Sequence, residues 1–189
     1  MNNFSFLAFL GISAAFSSFG QTGPAGVGTS ATNVLWLKAD AGTSTSVNGS
    51  PVASWADQSG NGVVLNQTNA NQQPLFIGSL MNGFPSIEFD NNSFSGQNDF
   101  FLTPDNPIFD NTSGYSFFTV TRMKGFGDAQ SIISKRNNVG NEEAFMLFYY
   151  TGSRMFADID NDNNRFSSPV VNTANTNRIY DFFYDGTLP

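Results

Sequence analysis

The sequence predicts an all-β chain folded as a two-sheet antiparallel sandwich. Short segments rich in aromatic and β-branched residues recur along it, separated by clusters of Asn, Gly, Pro and Ser. Phenylalanine occurs 21 times in 189 residues, mostly inside those segments, which suits two facing sheets across a thick core. Past the first twenty residues, no stretch keeps a helical period over three turns.

Residues 1–20 read as an export signal. Phe4 to Phe16 is mostly apolar and too short to span a bilayer, and Ser18 and Gly20 are small residues at a cleavage-like spacing. No Lys or Arg precedes Lys38, so the α-amino group alone supplies the positive end. The alternative is a buried N-terminal helix. Residues 21–32 are Gly, Ser, Thr and Ala around one Pro and read as a flexible lead-in. The folded domain is expected over 33–189, one domain by length.

Its candidate strands are Val34 to Lys38, Val52 to Trp55, Leu75 to Ile77, Ser86 to Phe89, Phe100 to Thr103, Tyr115 to Arg122, Ser131 to Lys135, Ala144 to Tyr150, Arg154 to Ile159 and Arg178 to Tyr184. The chain stops at Asp185-Gly186-Thr187-Leu188-Pro189. Asp-Gly is a hairpin signal that leads into a partner strand, so one to three further strands are expected beyond the end.

Composition narrows the function. The net charge is −7 and the isoelectric point is near 4.2, which disfavours a phosphate backbone as partner. The chain has no cysteine, so it contains neither disulfides nor thiolates. It has no histidine either, which removes a Ser-His-Asp triad and the usual zinc and copper sites from this chain. The sequons at Asn66 and Asn111 read as products of an Asn-rich composition.

Three phrases then become diagnostic: NVLWLKAD (33–40), WADQSGNG (55–62) and NGFPSIEFD (82–90). With YSFFTVTR, SIISK and IYDFFYDG downstream, they resemble the concanavalin A-like, laminin G-like jelly-roll modules of secreted bacterial surface proteins. The resemblance runs from Asn33 to the end. It implies a concanavalin A-like jelly roll, incomplete at its C-terminus, in an extracellular or cell-surface protein. Its motifs are turns and core positions, and they do not specify an activity.

Candidate site residues follow. Glu88 and Asp90 lie two apart in a strand and share a face. Glucanases with the related fold place a nucleophile, a helper and an acid/base at E-x-D-x-x-E, but here the third position is Ser93. Retaining hydrolysis needs two carboxyls about 5 Å apart, and this strand supplies one with its helper. A hydrolase acting on O-glycosyl bonds would draw the second from Glu142, Glu143 or chain beyond Pro189. Otherwise Asp90 caps a turn with Asn91 and Asn92. Asp158, Asp160, Asp162 and Asn164 alternate as oxygen donors, like the first half of a calcium loop. However, Asn163 stands where that loop needs glycine, and a solvated acidic hairpin is the alternative. Calcium is the one cofactor this pattern suggests.

Asp57 is either a rim ligand for a sugar or metal, or the acceptor in an Asx-type turn over Ser59 to Asn61. Trp36 and Trp55 are sugar platforms or core. Tyr149 and Tyr150 are adjacent in a strand and must face opposite ways, so one of them is a ligand-binding candidate at the surface. These observations favour a non-catalytic extracellular binding or adhesion module whose partner is a glycan or another extracellular polymer. The glycoside hydrolase and a purely structural spacer are the competing readings.

Overall fold

The computed structural model describes residues 23–92, 97–110, 114–126, 129–135, 145–158 and 165–186. They form an antiparallel all-β structure whose helical content is single 3-10 turns.

In the first half, β1 (Ser54–Ala56) pairs with β2 (Val64–Asn66), and β3 (Leu75–Met81) pairs with β4 (Phe84–Glu88). The β3–β4 turn is Asn82-Gly83 with φ of 51° and 84°. Both residues are left-handed, the geometry that an Asn-Gly hairpin adopts to match strand twist. The two-residue strands β5 (Asn91–Asn92) and β6 (Gln97–Asn98) pair with each other. Val52, Val63 and Phe76 are buried here, with relative exposures of 0%, 4% and 5%.

The second half holds the larger core. β7 (Tyr115–Arg122) pairs with β12 (Asn177–Tyr184) over eight residues. Between them in sequence, β8 (Gln130–Lys135), β9 (Phe145–Tyr150), β10 (Arg154–Asp158) and β11 (Arg165–Ser167) form a meander ordered β11-β10-β9-β8. Period-two alternation gives each ribbon an inner face. Phe117, Tyr180 and Phe182 from the β7–β12 ribbon pack against Leu147, Tyr149, Met155 and Ala157 from the sheet. The Phe117 and Phe145 rings meet at 5.0 Å, and Tyr149 and Tyr180 meet edge to face at 6.1 Å. A chain of hydroxyls crosses this interior. Tyr149 Oη lies 2.8 Å from Thr121 Oγ1, and Tyr180 donates to Asn172. Asn172 in turn donates to the Ser153 carbonyl. Burial pushes the Tyr149 phenol far up, so it stays protonated.

Two expected strands differ. Residues 34–38 form no strand beyond a single bridge from Lys38 to Ala41. The reason is local: the Trp36 amide donates to Asp57, and its carbonyl accepts from the Gln58 amide. Its backbone groups are therefore engaged by a turn rather than a ladder. Phe100 to Thr103 makes one bridge, Leu102 to Asn66, and Pro104 has no N–H to extend it. The other expected strands appear with boundaries within a few residues, while β2, β5, β6 and β11 were not anticipated. The export signal at 1–20 lies outside the described residues.

Candidate binding face on the four-stranded sheet

The outward face of the β8–β11 sheet is assembled by register. Phe148 stands opposite both Ser131 and Phe156, and Phe156 stands opposite Ser167. One row across four strands therefore reads hydroxyl, aromatic, aromatic, hydroxyl. Tyr150 is two residues beyond Phe148 and so on the same side, with Arg154 opposite. On the other side of the row, Asp158 stands opposite Arg165.

The rings interlock. Phe148 and Phe156 stack with centroids 5.6 Å apart at 28°, and Tyr150 meets Phe156 edge to face at 5.8 Å. The Arg165 guanidinium lies 5.5 Å from the centroids of both Phe148 and Tyr150. Its Nε is 3.3 Å from Asp158 Oδ2, and Asp158 is 1% exposed. Phe148 is itself only 2% exposed, whereas Tyr150 presents 43% of its surface. The result is an accessible phenol beside packed rings, with exposed Ser131, Ser134 and Ser167 on the same side of the sheet.

Of the tyrosine pair, Tyr149 takes the inward place at 1% exposure, where it cannot touch a ligand, and Tyr150 takes the outward one. Asp158 is turned toward Arg165. That guanidinium supplies a counter-charge at Asp158 Oδ2. Asp160, Asp162 and Asn164 lie outside the described residues, and among those described no group of three acidic side chains could hold a metal.

Asp57 serves the turn. Its Oδ1 accepts from the Trp36 amide at 2.7 Å and the Ser59 amide at 2.9 Å, and Oδ2 accepts from the Ser59 hydroxyl at 2.5 Å. Trp55 donates its indole N–H to the Lys38 carbonyl and leans on Phe101. Both features fix the β1–β2 hairpin far from the sheet face in sequence.

Glu88 ends β4 and is bound by Lys124 at 2.5 Å. Asp90 lies past the strand end and is exposed. Beside them stands Asp99, which sequence reasoning passed over. Its Oδ2 accepts from the Asp90 amide at 2.9 Å. Burial, with the carboxylates of Asp90 and Glu88 nearby, raises its pKa above the ordinary 3.8. Glu142 and Glu143 lie outside the described residues.

The raised Asp99 value has a stability consequence. The folded state holds this proton more tightly than the unfolded chain, so ionising Asp99 opposes folding. That penalty is absent below about pH 3.8, where both states are protonated. It grows as pH rises to the folded-state pKa and is constant above it. Asp99→Asn keeps an acceptor for the Asp90 amide and removes the charge. Its urea midpoint relative to the parent is expected to increase between pH 3.5 and pH 7, and an equal difference at both would refute the assignment.

Comparison of the chain with protein-family models, with curated proteins and with solved structures returns no match. The functional reading therefore rests on the residues themselves.

Proposed function

We propose that the chain is a non-catalytic extracellular binding module for carbohydrate, built on a concanavalin A-like, laminin G-like jelly roll. The packing of the β7–β12 ribbon against the four-stranded sheet supports the sandwich part of this reading. Tyr150 carries the binding part. It is an exposed aromatic ring with a polar tip, held on a sheet face by Phe148, Phe156 and Arg165. The C–H face of a pyranose stacks on such a ring while its hydroxyls reach neighbouring polar groups. A regular sheet also holds that ring in place more firmly than a loop would.

The reading is tested on a glycan array with the full chain, with and without chelator. Tyr150→Ala is expected to lower binding about five- to thirtyfold, since losing one stacking partner is worth roughly 1–2 kcal/mol. Tyr150→Phe is expected to retain most of it, and chelator is expected to leave it unchanged. Binding that ignores Tyr150→Ala would move the site elsewhere.

A glycoside hydrolase centred on Glu88 has one observation in its favour: Asp99 is a carboxyl with raised pKa beside it. Against it, Glu88 is paired with Lys124, and Asp99 is engaged by the Asp90 amide. Release of reducing ends from any bound glycan, lost in Glu88→Gln, would favour the enzyme.

A further inference from the structure

We infer that the saccharide held on the Tyr150 face is uncharged; this rests on the reading of that face as a glycan platform and specifies its ligand. An acidic sugar needs a cationic partner able to pair with its carboxylate or sulfate. Among the described residues two arginines stand on this face, and each donates to a protein acceptor. Arg165 is bound through Nε to Asp158, so its charge is matched by a carboxylate that is 1% exposed. The same guanidinium lies against the rings of Phe148 and Tyr150, where it acts as a packing surface. Arg154 donates through a terminal nitrogen to the Ser168 carbonyl at 2.9 Å, which directs it along the strand toward the β11 end.

Among the described residues, the other exposed polar side chains on this side of the sheet are neutral. Ser131, Ser134 and Ser167 are exposed, and register puts Ser131 and Ser167 in the same row as Phe148 and Phe156. The Ser131 hydroxyl lies 3.4 Å from the Met146 sulfur, which places it on this outward side. Serine hydroxyls and the Tyr150 phenol both donate and accept, as sugar hydroxyls do. The field of the whole chain adds to this preference. Fifteen acidic residues against eight basic ones leave a net charge of −7, which repels a polyanion during approach. Together, a neutralised arginine, hydroxyl neighbours and an acidic molecule select a neutral pyranoside with an apolar C–H face.

The test uses the full chain in titrations with cello-, xylo- and manno-oligosaccharides and, in parallel, with oligogalacturonate and a sulfated oligosaccharide, each from 50 to 500 mM NaCl. At least one neutral series is expected to bind. Its affinity should change less than about twofold across that salt range, because no ion pair is being screened. The charged series should bind at least about tenfold more weakly, through like-charge repulsion that salt relieves. Charged oligosaccharides that bind as tightly as the neutral ones, and weaken as salt rises, would overturn the inference. If Tyr150→Ala abolished that binding, the platform itself would survive. If no saccharide bound, or binding ignored Tyr150→Ala while Tyr150→Phe and the parent behaved alike, the platform reading would fall as well.

Discussion

Phe148→Ala is expected to cost about 3–5 kcal/mol, the usual range for truncating a buried phenylalanine. The side chain is 2% exposed and contacts Phe156 at 5.6 Å, Tyr150 at 6.0 Å and the Arg165 guanidinium at 5.5 Å. Removing it deletes one member of each of those pairs and opens a void under the Tyr150 ring. A domain is stable by only about 5–15 kcal/mol, so this substitution removes a large share of the total. The measurement is the urea midpoint, with the slope compared to check that the transition stays two-state. Phe148→Leu should recover more than half of the loss by refilling most of the volume. A midpoint for Phe148→Ala within experimental error of the parent would mean that the outward face of the sheet is not packed as described. Tyr150→Ala provides the contrast. Tyr150 is 43% exposed and shares two ring contacts, so its stability cost should stay at about 1–2 kcal/mol, well below that of Phe148→Ala, while glycan binding is weakened. The two neighbouring aromatics thus separate support from recognition.

Phe148 also marks where the sequence stopped being legible. Strands Tyr115–Arg122 and Asn177–Tyr184 could be anticipated because each is long, rich in aromatic and β-branched residues, and bounded by turn formers. The run Phe145–Tyr150 is different, being apolar at every position. Alternation cannot then distinguish the core side from the other side, and only the register to β8 and β10 reveals a second packed layer on the outside. From the chain alone, Tyr149 and Tyr150 could be separated as a pair, but the inward one could not be chosen. Arg165 carried no signal at all. Its role depends on facing Asp158 across a hairpin and lying over rings of a third strand. β11 and the β5–β6 pair were missed for a simpler reason, since two or three residues are too few to show a period. Asp99 was missed because its neighbours Asp90 and Glu88 are brought to it by the fold, nine and eleven positions back in the chain. The segment Val34 to Lys38 failed in the opposite direction: its composition fits a strand, but its backbone groups are claimed from a distance by Asp57 and Gln58.

That claim makes Asp57→Ala the other large expected effect. The carboxylate accepts three hydrogen bonds, from the amides of Trp36 and Ser59 and from the Ser59 hydroxyl. Ser59 is fully buried at 0% exposure, so water cannot readily replace the lost acceptor. The Ser59 oxygen also contacts the Asn61 side-chain amide at 3.0 Å, and that amide reaches the carbonyls of Ser30 and Asn33 at 2.8 and 3.1 Å. Asp57 is therefore the anchor through which the β1–β2 turn holds the segment around residues 30–36. A net hydrogen bond to a charged group is worth about 1.5–3 kcal/mol, and the three share one acceptor, so the combined loss is expected at about 3–4 kcal/mol. Asp57→Asn keeps an oxygen for the two amides but sets a donor against the Ser59 hydroxyl, whose oxygen already accepts from Asn61, so only the Ser59 hydroxyl bond is lost; about 1–2 kcal/mol is expected. Denaturant midpoints measure both, and amide exchange at Trp36 and Ser59 locates the change. If Asp57→Ala lowered stability by less than about 0.5 kcal/mol, as an ordinary surface substitution does, the carboxylate would be free of the turn and open to a ligand.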